Sequence, residues 1–194
     1  MKLVFFLASC FLLASCQKEL SYEVDPGNTG GSGGGSGSSG GNSNGTYYIK
    51  GKKDGTAFSF NNFAMAKVID NSSLGGGISL LLVSLASSNG SSLEGLTFNL
   101  NFPTASSVPI GTFSETDNGP DHLIAGVYNP NSQTVVYNAG VFPNTVLPLK
   151  VTLLTKTSGE LTGKFEGAFY KTDASGMTSE HYTITEGEFK LPIQ

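Results

Sequence analysis

Apolar and polar residues alternate strictly along several stretches of this chain, and no other pattern restricts its fold as much. Leu96, Phe98, Leu100 and Phe102 are separated by Thr97, Asn99 and Asn101, so an extended backbone puts the first set on one face and the second on the other. Leu161, Gly163, Phe165, Gly167 and Phe169 repeat this against Thr162, Lys164, Glu166 and Tyr170, and Leu149, Val151 and Leu153 repeat it again. A period of two describes a strand with one buried face; a helix would space its apolar residues three or four apart.

Turn residues separate these runs. Ser88-Asn89-Gly90, Thr157-Ser158-Gly159 and Ala174-Ser175-Gly176 each supply a glycine of the kind a tight hairpin uses for a positive φ, so the last three strands read as a meander. Ile78 to Leu85 is apolar at nearly every position, and its flanking glycines favour a central strand covered on both sides over a short helix. Residues 46–194 are enough for one domain with one core. The expected fold is all-β: an antiparallel β-sandwich of about nine to eleven strands, with a closed, lipocalin-like β-barrel as the alternative.

The N-terminus sets the address. Lys2 is followed by an apolar run from Leu3 to Ser15 and then Cys16, so the segment has the charged start and small-residue end of a secretory signal. It falls short of the about 20 residues that span a bilayer. Leu13-Ala14-Ser15-Cys16 resembles the lipobox of bacterial lipoproteins, which implies removal of residues 1–15 and a lipid on Cys16. Leu7-Ala8-Ser9-Cys10 is a poorer match, because Leu3 to Phe6 alone is below the roughly 7 apolar residues of an h-region.

Gln17, Lys18 and Glu19 resemble in part the short charged signal that exports Bacteroidetes lipoproteins to the outer face of the outer membrane. A solvated charged tether explains them equally. No inner-membrane retention residue stands at Gln17, so the resemblance implies the outer membrane, on the cell surface or, as the alternative, on the periplasmic face.

Residues 16–45 form the lipidated start and a linker. From Pro26 to Gly45 the chain is nearly all Gly, Ser and Asn, which offers nothing to bury against the entropy of ordering. A coil of about 20 such residues spans roughly 25 Å and stretches to about 70 Å. No Gly-Lys-Ser/Thr follows it, which speaks against a phosphate loop.

Composition narrows the chemistry. Cys10 leaves with the signal and Cys16 is consumed by the lipid, so the mature chain has no thiol for a disulfide, a thiolate metal site or a nucleophile. The chain has no arginine, and losing Lys2 takes the formal charge from -4 to -5. Nucleic-acid and nucleotide partners, which need clustered cations and favour Arg forks, are therefore not expected.

Leu149-Lys150-Val151-Thr152, Leu161-Thr162-Gly163-Lys164-Phe165 and Ile184-Thr185-Glu186-Gly187-Glu188-Phe189 resemble the ends of small uncharacterised all-β Bacteroidetes lipoproteins, and Tyr48-Ile49-Lys50-Gly51-Lys52 resembles their opening strand. The resemblance implies an all-β fold and an envelope address, and it brings no catalytic residue with it.

Several residue sets are candidates for chemistry. Glu166, Glu186 and Glu188 fall on neighbouring strands of the meander, and paired carboxylates are what glycoside hydrolysis uses; ordinary outward strand charges explain them as well. His122 and His181 are two histidines where a catalytic zinc usually has three protein ligands, and Asp121 beside His122 points away from it in an extended strand. Glu115, Asp117 and Asp121, with Asn118, gather hard oxygen donors that calcium accepts, although Asp117-Asn118-Gly119-Pro120 is itself a turn sequence. No Gly-x-Ser-x-Gly elbow is present. Tyr47, Tyr128, Tyr137 and Phe142 are candidate exposed platforms for a glycan, and the asparagine-rich loops around Asn118 and Asn129 to Asn131 offer neutral hydrogen bonds; half-buried aromatics bracing a sheet are the commoner case.

The expectation is a lipid-anchored envelope protein whose domain is a non-enzymatic binding module, without cofactor or metal, for a glycan or an envelope protein. The alternative is a carbohydrate-binding accessory or glycoside hydrolase that uses the strand carboxylates.

Overall fold

The computed structural model of the chain describes residues 46–71, 73, 76–86, 94–130, 135–140, 146–174 and 176–194. The signal peptide, Cys10, Cys16, Gln17, Lys18, Glu19 and the linker lie outside them, as do the Ser88-Asn89-Gly90 turn, Asn131, Phe142 and Ser175. All described residues belong to one compact unit, Ser39–Gln194.

Among the described residues the chain forms eleven strands: β1 (Tyr48–Lys53), β2 (Thr56–Phe60), β3 (Phe63–Asp70), β4 (Ile78–Leu85), β5 (Gly95–Phe102), β6 (Gly111–Ser114), β7 (Leu123–Asn129), β8 (Val136–Ala139), β9 (Lys150–Lys156), β10 (Glu160–Asp173) and β11 (Gly176–Pro192). The 3-10 turn Glu115–Asp117 follows β6. The alternation that marks the strands also sorts their side chains: Leu96, Leu100 and Phe98 are fully buried, Phe102 nearly so, and Thr97, Asn99 and Asn101 face out.

All eleven strands belong to one antiparallel sheet in the order β2-β1-β11-β10-β8-β7-β5-β4-β3, and β9 branches from the first half of β10 with β6 beside it. The last three strands are the expected meander. The far edge then returns to the start. Ala66 of β3 bridges Ile193, just beyond β11, and the Gln194 N–H donates to the Ala66 carbonyl at 2.9 Å. The sheet is thus a nearly closed barrel with one interior; of the two architectures considered, it follows the barrel and not a sandwich of two stacked sheets.

Two cross-strand pairs show how the long strands bend. Gly163 of β10 lies opposite Phe189 of β11, and Phe165 opposite Gly187. A Cβ on Gly163 would meet the Phe189 ring at 2.2 Å, and one on Gly187 would meet the Phe165 carbonyl at 2.4 Å. Each glycine therefore makes room for the ring across from it, and the rings cover backbone that glycine leaves bare, which is how aromatic residues rescue strand glycines. Phe165 continues into the core, 4.7 Å from the Phe98 ring by centroids, and Phe169 meets Phe98 edge-on.

β4 departs from expectation on one side. Leu80 and Leu82 are fully buried, but Leu81, Val83 and Leu85 are only half-buried on the outer wall, because a barrel has one interior and no second layer covers this strand. Ser84 is the buried polar exception, and its hydroxyl donates to the Phe60 carbonyl at 2.8 Å. The turns also differ. Gly176 takes φ 108°, whereas no positive φ occurs at Gly159; there Glu160 N–H donates to the Thr157 hydroxyl at 3.0 Å and closes the turn.

Candidate functional site

Midway along β11 one more residue is present than either neighbour pairs with. Against β1 the register passes from Lys50↔Glu188 to Lys52↔Thr185, and against β10 from Phe165↔Gly187 to Gly167↔Ile184. The extra residue is taken up at Glu186, which sits at φ 51° in the left-handed region that glycine prefers. The bulge opens a groove of about 240 Å³ on the outer wall, lined by Lys150, Thr152, Lys164, Glu166 and Glu186 over Phe165 and Gly187.

Two of the three carboxylates singled out from the sequence meet in this groove, and the third, Glu188, is one outward position further along β11. Each has a lysine. Lys150 Nζ stands 3.4 Å from Glu166, Lys52 Nζ 2.7 Å from Glu186, and Lys50 Nζ 2.7 Å from Glu188, which also accepts from the Tyr48 hydroxyl at 3.2 Å. The hydrogen bond from Lys50 holds the Glu188 carboxyl below the usual carboxylate range. A general acid requires the opposite shift.

A second cluster sits at one mouth of the barrel, on the inner side of the wall. The Tyr128, Tyr137 and Tyr182 rings pack together, 4.5 Å apart by centroids for Tyr137 and Tyr182 and 5.7 Å for Tyr128 and Tyr182. Their hydroxyls end in two parallel chains. Tyr128 donates to Glu94 at 2.6 Å, and Lys53 Nζ donates to the Tyr128 hydroxyl at 2.5 Å. Tyr137 donates to Glu180 at 2.8 Å, and Lys171 Nζ donates to Glu180 at 2.7 Å. Burial, reinforced by these carboxylates, pushes both the Tyr128 and the Tyr137 hydroxyl well above the ordinary tyrosine value. The bond from Lys171 lowers the Glu180 carboxyl and raises the Lys171 ammonium.

This overturns the picture of exposed tyrosine platforms. Tyr128 and Tyr137 are 2% and 4% exposed, and Tyr47 packs half-buried against the core. A ring that closes the end of a barrel gives its faces to its neighbours and leaves only its hydroxyl to polar partners.

The calcium candidate does not assemble. The Glu115 carboxylate oxygens are buried, while Asp117 and Asp121 are exposed, and among the described residues no three His, Cys, Asp or Glu side chains converge on a point that would hold a metal ion. Asn118 serves the loop. Its Nδ2 donates to the Ile124 and Gly140 carbonyls, and its Oδ1 accepts from the Ile124 N–H at 2.8 Å. The two histidines keep different company: His122 packs edge-on to Phe113 of β6, and His181 against Tyr170 of β10.

Sequence reasoning missed the mouth as a unit, since Lys53, Glu94, Lys171, Glu180 and Tyr182 carry no motif. One local signal was available. Asp54 and Gly55, at φ 47° and 79°, are the Asp-Gly of a tight hairpin and so place Lys53 at the end of β1. Comparison with family models, with curated proteins and with solved structures finds no match for the chain.

Proposed function

We propose that the chain is a lipid-anchored lipoprotein of the bacterial cell envelope, held by Cys16 and carried on the linker 16–45, and that its β domain is a binding module without catalytic activity. The address rests on Leu13-Ala14-Ser15-Cys16 behind the apolar run, and the short segment Gln17-Lys18-Glu19 favours the outer membrane and its outer face. The observation that carries the binding role is the open groove over the β11 bulge, whose carboxylates are each engaged by a lysine. Such a surface offers donors and acceptors to a glycan or to an envelope protein and no free base to a bond-breaking step. The likeness of the C-terminal strands to small Bacteroidetes lipoproteins agrees with this address.

The second reading, a carbohydrate-binding accessory or glycoside hydrolase, is favoured by the convergence of Glu166 and Glu186 on one groove. Both are tested together. Labelling with a fatty-acid probe is expected in the native protein and lost in Cys16→Ser; an unlabelled native protein would remove the anchor. The protein is expected to turn over no chromogenic glycoside. Turnover that disappears in Glu166→Gln or Glu186→Gln would replace the binding role by hydrolysis.

A further inference from the structure

Among the described residues, one cation in the groove over the β11 bulge makes no ion pair. The Glu166 carboxylate is engaged by Lys150 at 3.4 Å and the Glu186 carboxylate by Lys52 at 2.7 Å. Lys164 is exposed and stands across the ladder from Glu188, but that carboxylate turns to Lys50 at 2.7 Å. The groove thus has its acidic groups matched by lysines from either side and one ammonium left over. We propose that it binds an acidic glycan and takes a sugar-ring carboxylate on Lys164. This rests on the groove being the binding site of the domain, and it names the class of ligand.

The groove has two chemically different ends. Thr152 of β9 lies opposite Lys164, and its hydroxyl shares one proton with the Thr112 hydroxyl at 2.9 Å. When Thr112 is the donor, Thr152 keeps its own proton for a ligand, so this end offers an ammonium and a hydroxyl to an anion. At the other end Glu166 and Glu186 are acceptors only, and the lone pairs that their lysines leave open take hydroxyl protons. A ring with a carboxylate on one side and hydroxyls on the other satisfies both ends at once.

The walls favour a sugar over an acidic protein. Protein partners draw their affinity from aromatic or aliphatic anchors buried in apolar pockets, and Phe165, the apolar residue under the groove, is 4% exposed with its ring against Phe98. The groove of about 240 Å³ is smaller than the about 300–1,000 Å³ of enclosed ligand sites, which suits one ring of a chain lying across the wall. The protein carries a formal charge of -4, so its surface as a whole does not attract a polyanion, and Lys164 decides the preference locally.

Titration of the native protein with a galacturonate oligomer tests this, read from the backbone amide signals of Lys164 and Thr152 in NMR spectra. A galactose oligomer of equal length is the neutral control, with a hydroxymethyl group where the acid has its carboxylate. The acidic oligomer is expected to shift both signals saturably and to bind at least about 10-fold more tightly than the neutral one, with the difference shrinking as salt is added. Lys164→Ala is expected to bring the acidic oligomer down to the affinity of the neutral one. Lys164→Arg is expected to retain the preference, as is Lys67→Ala on β3.

The outcomes separate this inference from the reading beneath it. Equal affinity for the two oligomers overturns the acidic preference and leaves the groove as a site for neutral sugars. No saturation by either overturns the preference and the glycan role together. Polyglutamate supplies the third arm: if it shifts the same two signals as tightly as the galacturonate oligomer does, the carboxylate that Lys164 takes is that of an acidic protein, and the glycan is overturned.

Discussion

On the outer wall of β9, β10, β11 and β1, lysine meets glutamate across strands with water on every side; at the mouth the same two residue types meet over buried tyrosines. Lys50 and Glu188 are 46% and 41% exposed, and a pair so open to water and salt contributes little to stability. At the mouth the ion pair is no stronger, with Lys53 and Glu94 3.9 Å apart. What differs is the group between them. The Tyr128 hydroxyl is buried with its ring, and among the described residues Glu94 is the acceptor of its proton. Burial thus makes a modest charge pair into a structural requirement, because an unsatisfied buried polar group costs more than a satisfied one returns.

The largest difference between the two regions is expected at high pH. Tyr128 and Tyr137 are raised by burial and by their carboxylates, and Lys171 and Lys50 by their glutamates. Groups raised in the folded state contribute stability that is present below the unfolded values near about 10 and is lost as pH rises through the folded ones. Tyr128 and Tyr137 should therefore ionise only as the barrel unfolds, with tyrosinate absorbance and circular dichroism changing together above about pH 10. Ionisation of all tyrosines ahead of unfolding would break the comparison. The acid side runs the other way. Glu188 and Glu180 are lowered, so their contribution is present above about pH 4.3 and fades as pH falls through the folded values.

Truncating an anchor comes next. Tyr128→Ala should destabilise the domain by about 3–5 kcal/mol, as removal of a buried aromatic does, seen as a lower urea midpoint at constant m-value. A loss below about 1 kcal/mol would place the ring outside the cooperative core.

Removing single carboxylates sharpens the contrast. Glu94→Ala is expected to cost about 1–3 kcal/mol through the stranded Tyr128 hydroxyl, and Glu166→Ala on the outer wall at most about 1 kcal/mol, an effect that salt diminishes. Equal costs in thermal melts would deny the buried hydroxyl its role.

The smallest effect has the opposite sign. Glu186 holds a left-handed backbone that a side chain resists, so Glu186→Gly should stabilise by about 0.5–1 kcal/mol although it breaks the pair with Lys52. Weaker binding by the groove in that more stable variant would mean that the strained residue serves recognition; destabilisation would show that the ion pair outweighs the strain.

The sequence by itself determined the elements and their faces. Leu96, Phe98 and Leu100, like Leu149, Val151 and Leu153, are inward because a strand's period of two leaves no choice once one face is greasy, and hairpin turns join the last three strands locally. It also brought Glu166, Glu186 and Glu188 onto adjacent strands. Only the tertiary structure decided that the sheet closes on itself, that β4 has one covered face, and that the calcium candidates do not converge. Closure depends on the return of Ala66 to Ile193, a contact between residues 127 positions apart in the chain that no local pattern encodes. The mouth is non-local in the same way: Lys53, Glu94, Tyr128 and Tyr182 come from four separate stretches and meet because the barrel sets their strand ends side by side. Local periodicity fixes which way a side chain faces, and the closing of the sheet fixes what it faces.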